Sequence, residues 1–286
     1  MLLIADCGSS KIEWALLSPA GDTARFHTPG MNALMLTPAE IQARFAAELM
    51  PCLGDPAAVG RVCFYGAGCV SDEVCGNVAA GIRGVMPEVV VEVYTDLLAA
   101  ARALCGQEAG IACILGTGSN SCLYDGNSIV SNVSPLGYIL GDEGSGAVLG
   151  RTLVGDVLKR QLPSDICDEF HSRTGLDRLT IINNVYRQPG ANKFLASLVP
   201  FLSENISRPE IRNLVLGSFV SFFRRNVRSY AGHESIPCGF VGSVAYYFAD
   251  VLREAAAVSG CKVGTILKAP MDGLIKYHSL NKLSAI

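Results

Sequence analysis

The chain has 286 residues, of which 50% are hydrophobic and 17% are charged, with a formal net charge of -3. This length allows one large domain or two of ordinary size, and the composition is that of a chain able to bury a substantial core. The slightly acidic balance excludes the electrostatic footprint of a protein that binds nucleic acid or an anionic membrane surface.

The first half of the sequence predicts the element order β-β-β-α-β-α-β-α. Its first two strands are joined by a tight turn from Cys7 to Lys11, which is typical of a β-hairpin. Its first helix is marked by a capping box, Thr37-Pro38-Ala39-Glu40, with proline at the first helical position. The predicted elements are strands at 2–5, 12–17, 23–28, 59–65 and 89–94 and helices at 37–49, 72–86 and 97–105.

The second half opens in the same way, so the sequence predicts an α/β protein with a duplicated β-β-β-α arrangement. A glycine-rich turn, Gly116 to Ser119, follows its first strand, and another, Gly141 to Ser145, leads into a long apolar helix whose glycines indicate close packing. A second capping box is predicted at Ser207-Arg208-Pro209-Glu210. The predicted elements are strands at 111–115, 122–124, 129–132 and 237–241, helices at 144–160 and 244–257, a helical insertion at 156–232 and a last helix from 271.

The eleven cysteines are scattered, and none forms a C-x-x-C pair or a cluster with histidine at zinc-ligand spacing. Those in apolar runs, such as Cys63 and Cys113, are typical of small buried side chains. We therefore predict a reduced, cytoplasmic protein. The first residues enter a strand without the features of a signal peptide, and no apolar run reaches the roughly 20 residues of a membrane-spanning helix.

The remaining motifs indicate phosphoryl transfer. No Walker motif, dinucleotide G-x-G-x-x-G turn, H-E-x-x-H or G-x-S-x-G motif occurs, and the four histidines are isolated. The features that remain are glycine turns at strand ends and the carboxylates Asp6, Asp96 and Asp142. A kinase needs such parts, because backbone N–H groups hold phosphates, one carboxylate holds Mg²⁺ and another orients the acceptor hydroxyl.

Each carboxylate also has a structural explanation. Asp96 follows a strand and starts a helix, so it fits a catalytic carboxylate in a cleft, but a helix N-cap is the commoner use of aspartate there. Asp142 and Glu143 fit acidic residues favoured in the first turn of a helix. Asp6 ends a short buried strand and has no evident packing role.

Four motifs together resemble those of the N-acetylglucosamine kinase family, which belongs with the BadF/BadG/BcrA/BcrD-type ATPases in the actin/hexokinase/Hsp70 superfamily. The resemblance covers essentially the whole chain, in the family's order, through the runs 6–11, 114–120, 136–146 and 239–244. It implies two actin-like, ribonuclease H-like lobes. These are residues 1–107, joined by the C-terminal helix 271–286, and residues 108–270 with the helical insertion 156–232.

The resemblance implies an ATP-dependent kinase that uses Mg²⁺ and phosphorylates the 6-hydroxyl of an N-acetylated amino sugar, with N-acetylglucosamine favoured. Asp96 matches the catalytic aspartate that takes the proton from this hydroxyl, and Asp6 would hold Mg²⁺ directly or through water. The residues implied at the nucleotide are Asp6, Gly8, Ser9, Ser10, Lys11, Gly116, Thr117, Gly118, Ser119, Gly242, Ser243 and Gly273. The residues implied at the sugar are Asn32, Asp96, Thr117, Gly137 and Asp142.

Several alternatives stay open. Glucosamine or N-acetylmuramate could replace N-acetylglucosamine, because a few pocket residues decide between them. The related ATPase activators of dehydratases hold an iron–sulfur cluster at a dimer interface through cysteines, for which Cys122 and Cys167 are the candidates here, without a recognisable motif. A sugar-responsive regulator is less favoured, because the sequence has no helix-turn-helix signal. The partners implied are ATP, an amino sugar and a second copy of the chain, with no nucleic acid and no membrane.

Overall fold

A computed structural model describes residues 1–8 and 11–283, apart from the side chains of 281–283. The strands in these residues are β1 (Leu2–Cys7), β2 (Lys11–Leu17), β3 (Thr23–Pro29), β4 (Arg61–Gly66), β5 (Val90–Thr95), β6 (Gly110–Leu115), β7 (Ser119–Tyr124), β8 (Ile129–Val133), β9 (Cys238–Val241) and β10 (Val263–Leu267). Short 3-10 helices lie at Ala33–Met35, Met50–Cys52, Pro56–Ala58 and Val227–Ser229.

The α-helices of the described residues fall into two groups by position in the chain. Those before the second sheet are α1 (Pro38–Glu48), α2 (Asp72–Val85) and α3 (Asp96–Cys105). Those after it are α4 (Gly137–Leu140), α5 (Gly146–Leu158), α6 (Ser164–Thr174), α7 (Arg178–Tyr186), α8 (Ala191–Ala196), α9 (Val199–Glu204), α10 (Pro209–Arg225), α11 (Ser243–Tyr247), α12 (Ala249–Val258) and α13 (Met271–Leu283). None of these helices is both long and apolar enough to cross a membrane, as far as the chain is described.

The chain divides into two compact units with the same sheet topology. The first contains Met1–Gln107 together with α13, and the second contains Glu108–Ala269. The sheet orders are β3-β2-β1-β4-β5 and β8-β7-β6-β9-β10. In each sheet the first three strands of the unit pair antiparallel, and the last two run parallel to the first. This duplication confirms the predicted α/β, actin-like fold class.

Side chains of β1 alternate between the two faces of the first sheet, as the pleat of a strand requires. Leu3 and Ala5 belong to the core under α1 and α2, whereas Leu2 and Ile4 belong to the core under α3 and α13. Asp6 follows Leu2 and Ile4 in this alternation and so faces the same side of the sheet. The strand therefore delivers this carboxylate to the side of the sheet that α3 covers.

The helical insertion shares one core with the second sheet. Phe222 and Phe223 of α10 are fully buried, and their ring centroids lie 6.1 Å and 5.7 Å from that of Phe240 on β9. Phe170 of α6 and Ile181 of α7 belong to the same hydrophobic cluster. The insertion is thus packed as part of the second unit and can supply walls to a site there.

Most of the predicted elements are confirmed with small shifts at their ends. The first capping box forms as predicted, with Thr37 Oγ1 accepting from the N–H of Glu40 at 3.3 Å and the Glu40 carboxylate accepting from the N–H of Thr37 at 2.8 Å. The duplicated hairpins and the parallel strands after them are also present.

Two predictions in the second unit are wrong, and one strand was missed. The second capping box does not form: Arg208 is the N-cap of α10 and makes no side-chain capping bond, because Pro209 occupies the first helical position and shifts the start by one residue. The helix predicted at 244–257 is two helices, α11 and α12, interrupted at the buried Phe248. Strand β10 was not predicted at all.

Candidate active site

Parallel strands bring Asp6 and Asp96 to one end of the first sheet. In the register of β1, β4 and β5, Cys7 lies beside Gly66 and Gly66 lies beside Thr95. Asp6 comes one residue before Cys7 in β1, and Asp96 comes one residue after Thr95 in β5. The two strands are separated by β4, so at the usual strand spacing the backbones of Asp6 and Asp96 lie roughly 10 Å apart. A Cβ on Gly66 would fall 2.9 Å from Cys69 Sγ and from Phe64 Cε1, so close packing on the α1–α2 side of the sheet accounts for this glycine.

Asp96 is not the N-cap of α3. The cap is Thr95, whose Oγ1 accepts a hydrogen bond from the backbone N–H of Leu98 at 3.1 Å. Asp96 is the first residue of the helix and is only partly exposed. Burial raises the pKa of its carboxyl, and hydrogen bonds from the backbone N–H groups of Leu97 and Asp96 itself lower it in part. The carboxylate is thus held in place by backbone N–H groups, and burial makes it a stronger base than an exposed aspartate.

The carboxyl group of Asp6 lies in surroundings that disfavour its negative charge. Burial, followed by the charges of Asp96 and Glu13, raises the pKa of Asp6 from 3.8 to about 7, against a lowering effect from Lys11. No described residue hydrogen-bonds to its carboxylate or forms an ion pair with it.

Glu13 is a neighbour of Asp6 that sequence reasoning missed. It lies directly opposite Asp6 on β2. Its own carboxylate oxygens are 3.7 Å from Arg25 and 3.9 Å from His27. Only the antiparallel register places Glu13 beside Asp6, and nothing in the local sequence marks it.

These residues fit a magnesium ion that is held jointly with a nucleotide. Among residues 1–8 and 11–280, no group of three or more His, Cys, Asp or Glu side chains could hold a metal ion alone. Mg²⁺ usually takes one or two protein carboxylates and completes its shell with water and phosphate oxygens. The uncompensated carboxylate of Asp6, with Glu13 beside it, is a donor set of that kind.

The first glycine turn is described only in part. The N–H of Gly8 donates to the carbonyl of Lys11 at 3.0 Å, which closes the β1–β2 hairpin. Lys11 is exposed at the start of β2. The predicted nucleotide residues Ser9 and Ser10 lie outside the described residues.

Two other predicted site residues of the first unit have local structural roles. Asn32 is exposed and accepts a hydrogen bond from the N–H of Leu34 at 3.3 Å, which caps a 3-10 helix. Gly273 lies in α13, where an added Cβ would fall 2.4 Å from the carbonyl oxygen of Ala103 in α3. Close helix packing accounts for this glycine, and its place beside a base stays a prediction.

In the second unit the turn from Gly116 to Ser119 is fixed against α5. The N–H groups of Gly146 and Ala147 donate to the carbonyls of Gly116 and Thr117 at 2.8 Å and 3.0 Å. The first N–H groups of α5 are therefore used within the protein. This favours the first turn, not the second, as the phosphate loop of this unit.

Gly242 lies where the end of β9 meets the end of β6. Its φ is +129°, and a Cβ on it would fall 2.2 Å from the carbonyl oxygen of Leu115. Any side chain would collide with backbone there, so glycine is required. Ser243 follows as the first residue of α11 and is exposed.

Asp142 joins three other predicted site residues of the second unit. Its carboxylate accepts hydrogen bonds from the N–H groups of Gly137 and Ser119, which lower its pKa, while burial, the larger effect, raises it. Its Oδ2 lies 3.0 Å from the point where Gly118 would carry a Cβ. Asp142 has a φ of +53° and precedes the N-cap Ser145, so it is not a first-turn helix residue.

A cavity of about 440 Å³ opens beside the Gly116–Thr117 turn. This volume lies within the range of small-molecule sites. Gly116, Thr117 and Ser243 were predicted as nucleotide residues, and they line it. Its other walls were missed. They come from the start of α5, from the insertion and from α11: Gly146, Ala196, Ser197, Val199, Pro200, Ser203, Glu204, Val244 and Tyr247.

The iron–sulfur alternative finds no support in the two cysteines considered for it. The exposed fraction of Cys122 is 0% and that of Cys167 is 4%. Cys167 directs its thiol toward the carbonyl oxygen of Leu162, at 3.5 Å. Thiols buried in the core of one unit cannot share a cluster with a second chain.

The fold and its strand-end carboxylates define the class: the chain has the actin-like fold of the sugar kinases. A protein from Chromobacterium violaceum, provisionally assigned as an N-acetylglucosamine kinase, has this fold with a TM-score of 0.74 at 19% identity, over 96% of this chain and 98% of its own. A transcriptional regulator of the ROK family, a homologue of the E. coli MLC protein, shares it with a TM-score of 0.58 at 12% identity, over 98% and 79%.

A much closer similarity identifies the family. A protein from Porphyromonas gingivalis, provisionally assigned as an N-acetylglucosamine kinase, is 44% identical over 99% of this chain and 100% of its own, with a TM-score of 0.94. The chain therefore belongs to the N-acetylglucosamine kinase family. No family model matches the sequence, and a search of curated proteins finds no significant match.

Proposed function

We propose that this protein is an ATP- and Mg²⁺-dependent kinase that phosphorylates the 6-hydroxyl of an N-acetylated amino sugar, N-acetylglucosamine. The observation that carries the proposal is Asp96, a carboxylate with a raised pKa that is held at a strand end and is not used as a helix cap. The 44% identity to the relative from P. gingivalis supports the choice of sugar.

Asp96 acts as the general base. Its carboxylate accepts the proton of the sugar 6-hydroxyl as the hydroxyl oxygen bonds to the terminal phosphorus of ATP and the bond to the ADP oxygen breaks. A base is most effective when its pKa lies near the working pH, and burial moves Asp96 in that direction. The N–H groups of Leu97 and Asp96 keep the carboxylate oriented.

Asp6, with Glu13 beside it, would hold the magnesium ion. When bound, this ion neutralises charge on the phosphates of the nucleotide. Pairing with a cation offsets the burial of the Asp6 carboxylate, which the protein itself leaves uncompensated. In this role Asp6 stays ionised at neutral pH.

The second unit contains the cavity that we assign to the nucleotide and a carboxylate that we assign to the sugar. Gly116 and Thr117 line the cavity that we assign to ATP, with Ser243 on its α11 side. Asp142 is assigned to the sugar hydroxyls, because a carboxylate fixed by two backbone N–H groups is a rigid acceptor. Gly137 supports it by donating one of these bonds.

The direct test is ADP release from ATP and Mg²⁺ with a panel of free amino sugars. We expect release only with an acceptor, fastest with N-acetylglucosamine and slower with N-acetylmannosamine, glucosamine and N-acetylmuramate. A 6-deoxy analogue of N-acetylglucosamine is the matched control, because it lacks only the accepting hydroxyl. ADP release that does not depend on sugar would contradict the proposal and favour an ATPase.

A further inference from the structure

The cavity of the second unit has a glycine end, which lies at the Gly116 turn. A Cβ on Gly146 would contact the carbonyl oxygen of Gly116 and the Cβ of Ala196, both at 3.2 Å, and Val199 at 3.3 Å. The turn, α5 and the α8–α9 segment therefore meet here with no room for a side chain. In the function proposed above, this end receives phosphate.

Helices α9 and α11 line the part of the cavity that extends away from its glycine end. Val199 begins α9 and Ser243 begins α11, and both line the cavity. Ser203 and Tyr247, which also line it, lie one helical turn further along their helices. The part of a ligand that follows its phosphates therefore lies along the second helical turn of α9 and α11, where α9 places Ser203 and Glu204.

Glu204 is the only acidic residue that lines this cavity in the described part of the chain. Its Oε2 pairs with Arg173 of α6, which also binds Oε1 of Glu169 at 3.2 Å. Arg173 thus fixes the orientation of the Glu204 carboxylate. No described residue bonds to the other oxygen, Oε1, so it can accept a hydrogen bond from a ligand.

We infer that Glu204 accepts hydrogen bonds from the vicinal hydroxyls of the nucleotide's ribose, so that the site selects ribonucleotides over 2′-deoxyribonucleotides. This inference rests on the proposed function. The ribose is the group that follows the phosphates, and a carboxylate beside it is matched by hydroxyl donors. The same chemistry lets an acidic side chain bind a ribose 2′-hydroxyl in dinucleotide-binding proteins. Ser203, one residue before, offers a second polar group to the same sugar.

The inference is tested by the binding of ADP and 2′-deoxy-ADP to the full-length protein, measured by calorimetry in the presence of Mg²⁺. We expect the wild type to prefer ADP by about tenfold or more, the usual effect of one hydrogen bond to a charged group. Glu204→Gln should bring this ratio close to one. Glu169→Gln is the matched control, because it removes the other carboxylate on Arg173 from a residue that does not line the cavity.

Kinetics give a second readout. Glu204→Gln should raise the KM for ATP more than the KM for 2′-deoxy-ATP, which keeps only the 3′-hydroxyl, and should leave the KM for the amino sugar unchanged. An unchanged ADP to 2′-deoxy-ADP ratio in Glu204→Gln, an equal loss of affinity for both nucleotides, or the same change in Glu169→Gln would overturn the ribose assignment alone. Failure of the wild type to bind either nucleotide would overturn the proposed function as well.

Discussion

Thr95 caps helix α3 by accepting a hydrogen bond from the backbone N–H of Leu98 at 3.1 Å. Asp96, the next residue, is therefore free of the capping role that its position would suggest. In the proposed function the two neighbours divide stability from chemistry, because Thr95 caps the helix and Asp96 is left to act as the base.

This separation predicts opposite effects for two substitutions. Asp96→Asn keeps the shape of the side chain but removes the base, so kcat should fall by about 10²–10⁴, while the Kd for ADP and the stability stay near those of the wild type. Thr95→Ala should lower the free energy of unfolding by about 1 kcal/mol, the usual cost of a lost cap, and keep most of the activity. Steady-state kinetics and urea unfolding measure both. Wild-type turnover in Asp96→Asn would show that another group is the base.

The raised pKa of Asp6 predicts a pH-dependent gain in stability for Asp6→Asn. The folded protein binds this proton more tightly than the unfolded chain, with a pKa of about 7 against 3.8. The contribution of Asp6 to stability is therefore present below about pH 4 and is lost as the pH rises through 7. At pH 8 without Mg²⁺, Asp6→Asn should be more stable than the wild type by roughly 2–4 kcal/mol, and near pH 4 the difference should vanish.

Chemical unfolding across this pH range measures the effect, with Asp22→Asn, at an exposed turn, as the control. Mg²⁺ with ADP should stabilise the wild type and not Asp6→Asn. A stability difference that does not change with pH would show that Asp6 is compensated within the protein.

Asp142→Asn should weaken the acceptor site and leave the nucleotide site intact. Asparagine tolerates the positive φ of this position, so the backbone is kept while the charge is lost. We expect the KM for the sugar to rise by about tenfold with no change in the Kd for ADP. Glu143→Gln is the control, because Glu143 pairs with Arg225 and serves no proposed ligand. Equal effects of the two substitutions would remove Asp142 from the sugar site.

Two glycines should respond to alanine in opposite ways. Gly242→Ala places a Cβ 2.2 Å from the backbone of Leu115 in a positive-φ conformation, so the second unit should unfold or lose several kcal/mol. Gly155→Ala meets no atom within 4 Å inside α5 and should stabilise the protein by up to about 1 kcal/mol. Thermal unfolding of both variants measures this. Tolerance of Gly242→Ala would mean that β6 and β9 can separate at this point.

Local signals in the sequence predict much of the fold. Thr37 and Glu40 lie three positions apart and form their capping box without help from the rest of the chain. Gly106 ends α3 with a φ of +64°, as glycine after a helix indicates. The glycine turns at strand ends are equally local. The first turn of the second unit predicted Gly116 and Thr117, which line the cavity, whereas Ser243, which also lines it, was implied only by the family resemblance.

The errors arise where a neighbouring proline or a distant contact overrides a local motif. Pro209 sets the start of α10 and leaves Ser207 outside the helix, although the spacing to Glu210 is that of a capping box. The short run of β10 becomes a strand by pairing with β9. Of the three α5 glycines expected to pack, Gly146 and Gly150 do, with the Cβ position of Gly150 1.9 Å from the carbonyl oxygen of Leu195, and Gly155 does not. Glu204 lines the cavity only because the insertion packs against α5. No local sequence motif predicts that packing.

The most direct measurement is the identity of the product. Wild type and Asp96→Asn are incubated with ATP, Mg²⁺ and N-acetylglucosamine, and the phosphorus spectrum of each mixture is recorded. We predict N-acetylglucosamine 6-phosphate and ADP in equal amounts with the wild type and no sugar phosphate with Asp96→Asn, although both bind ADP. Release of inorganic phosphate without a sugar phosphate, or the same product from Asp96→Asn, would contradict the assignment of Asp96 as the base of an amino-sugar kinase.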